Sequence, residues 1–215
     1  MAILTDFQMN VLRACAAEPV FQDYYLTGGT ALSEFYLGHR FSEDLDFFTE
    51  VPQGVARAEN LINTVADKLG AKITMGRRFQ TLFECSMKNS KGESVEMDFA
   101  LDMPGRLEPV RPNVAFGVNL DNKTDISCNK LSALYERVEP KDFVDIYFIC
   151  EEIMTFEELW EKSRKKYPAL DAYGLAVAFS KIKGLEILPR MVRPVPLEQM
   201  KSFFLGKAAE IGRSF

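Results

Sequence analysis

The stretch TGGTALSEFYLGHRFSEDLDFF occupies residues 27–48, and its pattern decides the fold prediction. A short apolar run, Tyr24–Thr27, predicts a strand, and the two glycines that follow it predict a tight turn. Residues 31–37 predict a helix that Gly38 ends, and residues 45–49 predict a second strand. This order of strand, glycine turn, helix and strand is typical of a sheet with helices packed on it.

Two aspartates, Asp44 and Asp46, open the second of these strands. Residues two apart on a strand project from the same face, with α-carbons roughly 6.5–7 Å apart. Leu45, Phe47 and Phe48 are apolar, so the strand is predicted to be buried and its carboxylates need a compensating group. The two carboxylates repel each other unless a cation lies between them, and hard divalent cations such as Mg²⁺ prefer oxygen ligands. An isolated D-x-D has another explanation, in which Asp44 is a capping residue and Asp46 pairs with an arginine.

The glycine turn makes the acidic pair more informative. Gly28 and Gly29 allow backbone N–H groups to approach an anion, and a helix N-terminus adds a partial positive charge. The Thr30 hydroxyl is placed to contact the same anion. A Gly-Gly turn alone is usually a tight connection, but here a D-x-D follows on the next strand. The combination predicts a phosphate-binding loop beside a pair of metal ligands.

A third carboxylate is expected in the run SVEMDFA at residues 94–100. Period-2 alternation places its apolar residues on one face and Glu96 and Asp98 on the other. If this strand lies beside the D-x-D strand, one of the two acids completes a two-metal site, which stabilises an in-line phosphoryl displacement. Apolar residues flank Asp98, so Asp98 is the preferred candidate and Glu96 is the alternative.

The wider pattern divides the chain near residue 118. Residues 1–118 alternate helices and strands and include a predicted antiparallel hairpin that turns at residues 89–92. Beyond that point almost every segment predicts a helix. We therefore predict an α+β protein, with a small mixed-sheet domain in residues 1–118 and a helical C-terminal domain in residues 119–215. The prolines of residues 189–196 predict a loop between the last two helices.

Several helix ends are marked in the sequence. Thr5 and Thr155 each precede a helical pattern and are followed three residues later by Gln8 and Glu158, which predicts a capping box at each site. An amphipathic pattern over residues 55–69 predicts a helix that ends at a glycine.

Composition excludes several classes of protein. The 215 residues are 47% hydrophobic and 27% charged, which is typical of a globular chain and excludes a disordered one. No apolar run approaches the roughly 18 residues of a membrane span, and the first residues are not typical of a signal peptide, so no membrane partner is expected. The four cysteines lack C-x-x-C spacing and indicate reduced thiols in a cytoplasmic protein. A single histidine excludes a multi-histidine metal centre.

Charge is unevenly distributed around a net value of −5. Residues 1–118 contain 11 basic and 16 acidic residues, whereas residues 162–215 contain 11 basic and 4 acidic residues. A basic tail could hold a polyanionic acceptor near an acidic site, or could simply keep the protein soluble. The candidate acceptor-binding residues are Lys162, Arg164, Lys165 and Lys166.

Two stretches carry a resemblance to a known family. Residues 27–48 and the stretch NKLSALYERVEPKDFVDIYFI, residues 129–149, resemble two signatures of the AbiEii-type nucleotidyltransferase toxins of the DNA polymerase β-like superfamily. The second signature is a lysine followed by an Arg/Lys-Asp-x-x-Asp helix. The signatures occur in the expected order, and the resemblance covers roughly residues 20–150.

The resemblance implies a set of site residues. Asp44 and Asp46 would hold Mg²⁺ or Mn²⁺, with Asp98 as the third metal-site carboxylate, polarising the acceptor hydroxyl. Lys130 would contact triphosphate oxygens, and Asp145 would occupy the family's second acidic position. The implied nucleotide-binding residues are Gly28, Gly29, Thr30, Arg40, Ser42 and Lys130. Among these, Arg40 and Ser42 match the HR-x-S sequence that precedes the acidic pair.

These observations predict a metal-dependent nucleotidyltransferase that moves an NMP from an NTP to an acceptor hydroxyl. The implied acceptor is RNA, for instance the 3′ end of tRNA, and the implied setting is a toxin–antitoxin or phage-defence system with an antitoxin encoded nearby. The alternatives are a non-catalytic RNA- or partner-binding module on the same fold, and a D-x-D phosphohydrolase. A phosphohydrolase does not require the Gly-Gly-Thr turn, and the intact acids argue against a non-catalytic module.

Overall fold

The structure, a computed structural model, describes residues 3–213. It divides into two units, which are described separately. The first unit contains residues 3–35 and 42–122, and the second contains residues 36–41 and 123–213. A mixed sheet in the first unit and helices in the second confirm the predicted α+β class.

The first unit is built on one seven-stranded sheet. Its strand order is β3-β4-β5-β2-β1-β7-β6, and β2–β5 and β1–β7 are the parallel pairs. The strands are β1 (Tyr25–Thr27), β2 (Asp44–Thr49), β3 (Lys72–Arg78), β4 (Leu82–Lys88), β5 (Ser94–Leu101), β6 (Arg111–Asn113) and β7 (Val118–Leu120).

Helices cover one face of this sheet. Burial alternates along β2, β4 and β5, and the buried positions pack against α1 (Asp6–Ala16) and α3 (Gly54–Leu69). The rings of Phe47 and Phe99 stack at 5.0 Å in this core, where each aromatic side chain removes a large apolar area from water. The residues on the opposite face are half-buried or exposed, and we call that face the polar face.

Local sequence signals set most element ends. The capping boxes at Thr5 and Thr155 are both present, and Gly70 ends α3 in the left-handed conformation with φ 59°. The predicted hairpin turn joins β4 and β5 in antiparallel register. The strands β6 and β7 were not predicted, because three-residue segments carry no usable periodicity.

The glycine turn differs from its predicted form. α2 (Gly28–Leu32) begins directly at the first glycine, and a π-helical turn (Ser33–Leu37) follows it. Gly28 has φ +70°, a backbone conformation that glycine adopts without strain, and this allows the chain to enter the helix straight from β1.

The second unit is helical. Its core includes Phe143, Phe179 and Phe204, with ring centroids 5.0 Å apart in the two pairs that Phe204 forms. The helices are α4 (Lys123–Arg137), α5 (Pro140–Glu152), α6 (Phe156–Lys166), α7 (Ala172–Ser180), a 3-10 turn (Lys181–Gly184) and α8 (Leu197–Arg213). None of the helices in residues 3–213 is long and apolar enough to cross a membrane.

The division of the chain differs from the predicted boundary between residues 118 and 119. β7 pairs with β1, so the sheet unit continues to Asn122. Residues 36–41 belong to the helical unit, because Phe41 N donates to Arg190 O at 2.8 Å and a β-bridge joins Arg40 to Met191. The predicted loop at residues 189–196 thus holds a segment that is distant in the sequence.

Candidate active site

Strand register assembles a row of polar side chains across the polar face. Thr27 on β1 pairs with Asp46 on β2, Asp46 pairs with Asp98 on β5, and Asp98 pairs with Glu84 on β4. Directly paired residues on neighbouring strands face the same side of a sheet, with their β-carbons roughly 4.5–5.5 Å apart. The carboxylates of three adjacent strands therefore lie side by side.

A second row runs parallel to the first. Asp44 pairs with Glu96, and Glu96 pairs with Ser86. Glu96 is exposed, whereas Asp98 is half-buried and lies directly opposite Asp46. This placement favours Asp98 over Glu96 as the third carboxylate, which is the choice that the flanking residues indicated.

The glycine turn approaches the first row closely. A β-carbon on Gly28 would lie 1.8 Å from Oδ2 of Asp46, so the residue at this position must be glycine for the carboxylate to stay in place. Gly29 is buried beside it. Backbone and carboxylate are thus in contact where α2 begins.

Thr30 has a different role from the predicted one. Its side chain is buried, and its hydroxyl donates a hydrogen bond to the carbonyl oxygen of Asp44. A contact between this hydroxyl and a phosphate does not fit that geometry. Thr30 instead ties α2 to the start of β2 and so positions the acidic pair.

Crowding of carboxylates perturbs Asp98. Burial raises its pKa to about 7, and the negative charges of Asp46, Glu84 and Asp44 add to this effect. The guanidinium of Arg77 acts in the opposite direction. A carboxyl group with this pKa takes up or releases a proton near neutral pH, which is what general base catalysis requires.

The acidic rows have the donor chemistry of a divalent-cation site. Their oxygen-only, negatively charged side chains suit Mg²⁺ or Mn²⁺, and a cation would relieve the repulsion around Asp98. Within residues 3–213, however, no three histidine, cysteine or acidic side chains are arranged as a ready-formed metal site. The metal ligands Asp44, Asp46 and Asp98 therefore stay a prediction.

The helical unit contains a separate buried charge cluster around Asp145, which is 0% exposed. Its Oδ2 lies 2.7 Å from Lys130 Nζ, and its Oδ1 accepts from Arg40 Nε at 2.6 Å. Arg40 Nη2 also donates to Oδ2 at 2.8 Å, which makes the pair bidentate. Burial opposes ionisation, but Lys130 and Arg40 outweigh it and hold the pKa of Asp145 well below its usual range.

His39 completes this cluster as a neutral ring. Its Nε2 lies 2.8 Å from Asp145 Oδ1. Burial lowers the pKa of the imidazole, the Asp145 carboxylate opposes this, and the cations Arg40 and Lys130 lower it further, so that the net shift is downward. The neutral tautomer with hydrogen on Nε2 donates to the carboxylate. His39 therefore acts as a hydrogen-bond donor to Asp145 and not as a cation.

The sequence implied nucleotide contacts for two residues of this cluster. Lys130 was implied to contact triphosphate oxygens, and only 8% of its side chain is exposed because it pairs with Asp145. Arg40 was implied to bind nucleotide, but it is buried and its guanidinium is engaged by Asp145 and by the Phe41 carbonyl oxygen. Ser42, by contrast, is half-exposed just before β2.

The candidate acceptor-binding residues of α6 differ in burial. Lys166 is fully buried and pairs with Asp125 at 2.7 Å, so its predicted role in holding an acceptor does not fit the structure. The exposed Lys165 pairs with Glu161 at 2.9 Å, and Arg164 lies over the Trp160 ring. The basic residues of α6 thus divide into a buried structural lysine and an outer group.

Glu84 and Arg77 were missed by sequence reasoning. Arg77 Nε donates to Glu84 Oε2 at 2.7 Å, beside Asp98. The signal was present, because alternation along residues 82–88 and the predicted turn at residues 89–92 together place Glu84 opposite Asp98.

Comparison with known proteins identifies the class of this protein, a nucleotidyltransferase. The family model for the "Nucleotidyl transferase AbiEii toxin, Type IV TA system" matches residues 10–212. The chain therefore belongs to the AbiEii nucleotidyltransferase toxin family, and the match reaches the C-terminal helices, beyond the resemblance over residues 20–150. An uncharacterised protein of Aquifex aeolicus (strain VF5), aq_aa25, is 31% identical over 172 residues, which are 80% of this chain and 79% of that protein.

Solved structures share the fold. A putative nucleotidyltransferase from H. pylori has a TM-score of 0.61 at 18% identity, covering 98% of this chain and 97% of that one. MenT4, the nucleotidyltransferase toxin Rv2826c from Mycobacterium tuberculosis H37Rv, has a TM-score of 0.59 at 15% identity, covering 96% and 82%. JHP933 from Helicobacter pylori has a TM-score of 0.60 at 18% identity, covering 95% and 88%.

Proposed function

We propose that this toxin transfers an NMP from an NTP to a hydroxyl of an RNA acceptor, such as the 3′ end of tRNA, with a divalent cation. In this proposal the protein acts in the cytoplasm and is countered by an antitoxin encoded nearby. The observation that carries the proposal is the register that sets Asp46 directly opposite Asp98, with Gly28 packed against the Asp46 carboxylate.

The reaction is a displacement at the α-phosphorus of the NTP. A bond forms between the acceptor oxygen and phosphorus, the bond to the β-phosphate oxygen breaks, and pyrophosphate leaves. When bound, Mg²⁺ or Mn²⁺ would neutralise charge that develops on the attacking and leaving oxygens. Asp44, Asp46 and Asp98 are the residues proposed to hold it.

Each chain residue has a proposed task. Asp98 accepts a hydrogen bond from the acceptor hydroxyl and takes up its proton as the new bond to phosphorus forms. The backbone of Gly28 and Gly29 contacts the triphosphate where α2 begins, and the missing side chain of Gly28 leaves room for the Asp46 carboxylate. Thr30 acts indirectly, through its hydrogen bond to the Asp44 carbonyl oxygen.

Roles in the helical unit follow from the charge cluster. Lys130 is proposed to contact triphosphate oxygens, as the family resemblance implies. Asp145 is proposed to act as a positioning residue, because its carboxylate is engaged by Lys130, Arg40 and His39. Ser42 stays a predicted nucleotide contact. Lys162, Arg164 and Lys165 stay predicted acceptor contacts.

The proposal is tested by incubating the protein with Mg²⁺, total RNA and each NTP labelled at the α-phosphate. Label recovered in RNA supports the proposal, conversion of the NTP to labelled NDP or NMP without transfer supports a phosphohydrolase, and neither product supports a binding module. Asp46→Asn should abolish transfer while far-ultraviolet circular dichroism stays unchanged. Ser94→Ala, an exposed change on β5, is the matched control and should keep full activity. Full activity in Asp46→Asn, or in the wild type with EDTA, would refute the assignment.

A further inference from the structure

A group of basic side chains lies on the polar face, at the edge of the sheet beside the acidic rows. β3 is the edge strand, and its pairing with β4 sets Lys72 opposite Lys88 and Thr74 opposite Ser86. These positions alternate with Ile73 and Met87, which point to the helix-covered face. Lys72, Arg77 and Lys88 therefore share the polar face with the carboxylates, and we call these three residues the basic edge.

Positive charge in the sheet unit is concentrated here. The unit contains 10 basic and 17 acidic residues, and five of the basic residues fall within residues 71–91, where Glu84 is the sole acid. Three of these five, Lys72, Arg77 and Lys88, lie on the polar face, which therefore changes from acidic on β2 and β5 to basic on β3 and at the end of β4. Basic patches of this kind attract polyanions, whereas the rest of the unit repels them.

Lys72 and Lys88 lie where their positive charges repel each other. Lys72 and Lys88 are direct cross-strand partners, both are exposed, and neither forms an ion pair with any residue between 3 and 213. Like charges directly opposite each other destabilise a strand pair. An anion bound between them would remove this penalty.

Arg77 links the basic edge to the reaction centre. The register of β3 shifts between Met75 and Arg78, and bulges of this kind change the direction of a side chain. Arg77, whose side chain is 70% exposed, reaches Glu84, and Glu84 is the β4 partner of Asp98. Two strand spacings, about 10 Å, separate β3 from β5. A row of phosphate groups bound along the basic edge would therefore lead to Asp98.

We propose that the basic edge binds phosphates of the single-stranded 3′ end of the RNA acceptor and directs its terminal hydroxyl toward Asp98. This inference rests on the proposed function, because it supplies the acceptor surface for the same site. The proposed ligand is RNA. RNA is a polyanion that matches the charge of the basic edge, and its terminal ribose carries the hydroxyl that the reaction needs.

The test compares two double variants that each remove two positive charges from the sheet unit. Lys72→Gln/Lys88→Gln changes the basic edge, and Arg57→Gln/Lys68→Gln changes α3, where both residues form surface ion pairs. Binding of a short fluorescein-labelled single-stranded RNA is measured by anisotropy at several salt concentrations. Each lost phosphate contact reduces the slope of log affinity against log salt by about 0.7. The edge variant should lose about 1.4 in slope and bind about 25-fold more weakly at roughly 0.1 M salt.

Four results of the binding test would overturn the inference. The first is equal RNA affinity and salt slope in the two double variants, and the second is tighter binding of the same sequence as DNA. The third is a loss of RNA binding only in Lys162→Gln/Arg164→Gln/Lys165→Gln, which would locate the acceptor on α6. Aggregation of the edge variant with unchanged RNA affinity would likewise overturn it, because the lysines would then only protect an exposed edge strand.

Transfer assays separate this inference from the proposed function. If the wild type labels RNA and the edge variant does so with the same KM for RNA, the basic edge is not the acceptor surface and the proposed function stands. If the wild type labels no RNA under any condition, the proposed function fails. The edge variant should raise the KM for RNA and leave the KM for NTP unchanged.

Discussion

Replacing Asp98 with asparagine should stabilise the metal-free protein while it abolishes nucleotide transfer. Asp98 lies between Asp46 and Glu84 on the polar face, and burial together with these charges raises its pKa from 3.8 to about 7. Above that pH the folded protein contains an ionised carboxylate that the unfolded chain tolerates better. Asparagine keeps the shape of the side chain and removes the charge.

The pH dependence follows from the direction of the shift. Below the unfolded pKa, the carboxyl group is protonated in both states and costs nothing. As pH rises toward about 7, the unfolded chain releases a proton that the folded protein retains, so the wild type loses stability across this window. The advantage of Asp98→Asn should therefore be absent near pH 4 and complete near pH 8.

The magnitude is set by the shift and by solvent screening. Three pKa units correspond to about 4 kcal/mol as an upper limit. Because Asp98 is half-buried and solvent screens its neighbours, we expect about 1–2 kcal/mol. For a chain of this size that is a rise in Tm of roughly 2–8 °C.

Thermal denaturation in EDTA at the two pH values measures this effect. Glu96→Gln is the control, since it removes one negative charge from the same strand at an exposed position and should change Tm little. The wild type should gain stability from Mg²⁺, and Asp98→Asn should gain less. An equal or lower Tm for Asp98→Asn than for Glu96→Gln near pH 8 would refute the reasoning.

Substitutions at Gly28, Lys130 and Lys166 test the close contacts. Gly28→Ala should lose transfer activity and about 1–2 kcal/mol of stability in urea denaturation, because its backbone has φ +70° and the new β-carbon would meet the Asp46 carboxylate; wild-type activity would contradict this. Lys130→Ala should lower the free energy of unfolding by about 3 kcal/mol and raise the KM for NTP, because it leaves Asp145 without its lysine partner. Lys130→Arg should retain the charge and part of the activity. An unchanged KM in the folded alanine variant would exclude a triphosphate contact. Lys166→Gln should destabilise the protein by about 3–5 kcal/mol, because this lysine is buried with its partner Asp125. Lys165→Gln should destabilise it by less than about 1 kcal/mol, because this lysine and its partner are exposed. Equal effects of the two substitutions in urea denaturation would contradict this difference.

The elements of this protein were largely predictable because their signals are local. Capping boxes involve residues three apart, and Gly70 ends α3 through its own backbone conformation. Alternation along a strand fixes which side chains share a face, so Asp44 and Asp46 were correctly placed together. The unpredicted strands β6 and β7 are too short for such signals: β7 forms by pairing with β1, and β6 forms by pairing with β7.

The sequence by itself therefore determined the α+β class, the family and the acidic pair on one strand. Only the tertiary structure decided that Asp98 lies opposite Asp46, because strands 50 residues apart in the chain are paired by the sheet and not by a local pattern. It also decided that Lys130 and Arg40 converge on Asp145 and that Lys166 is buried against Asp125. A lysine has the same sequence signal on a surface and in a core. It is buried only where neighbouring residues of the folded protein supply a compensating negative charge.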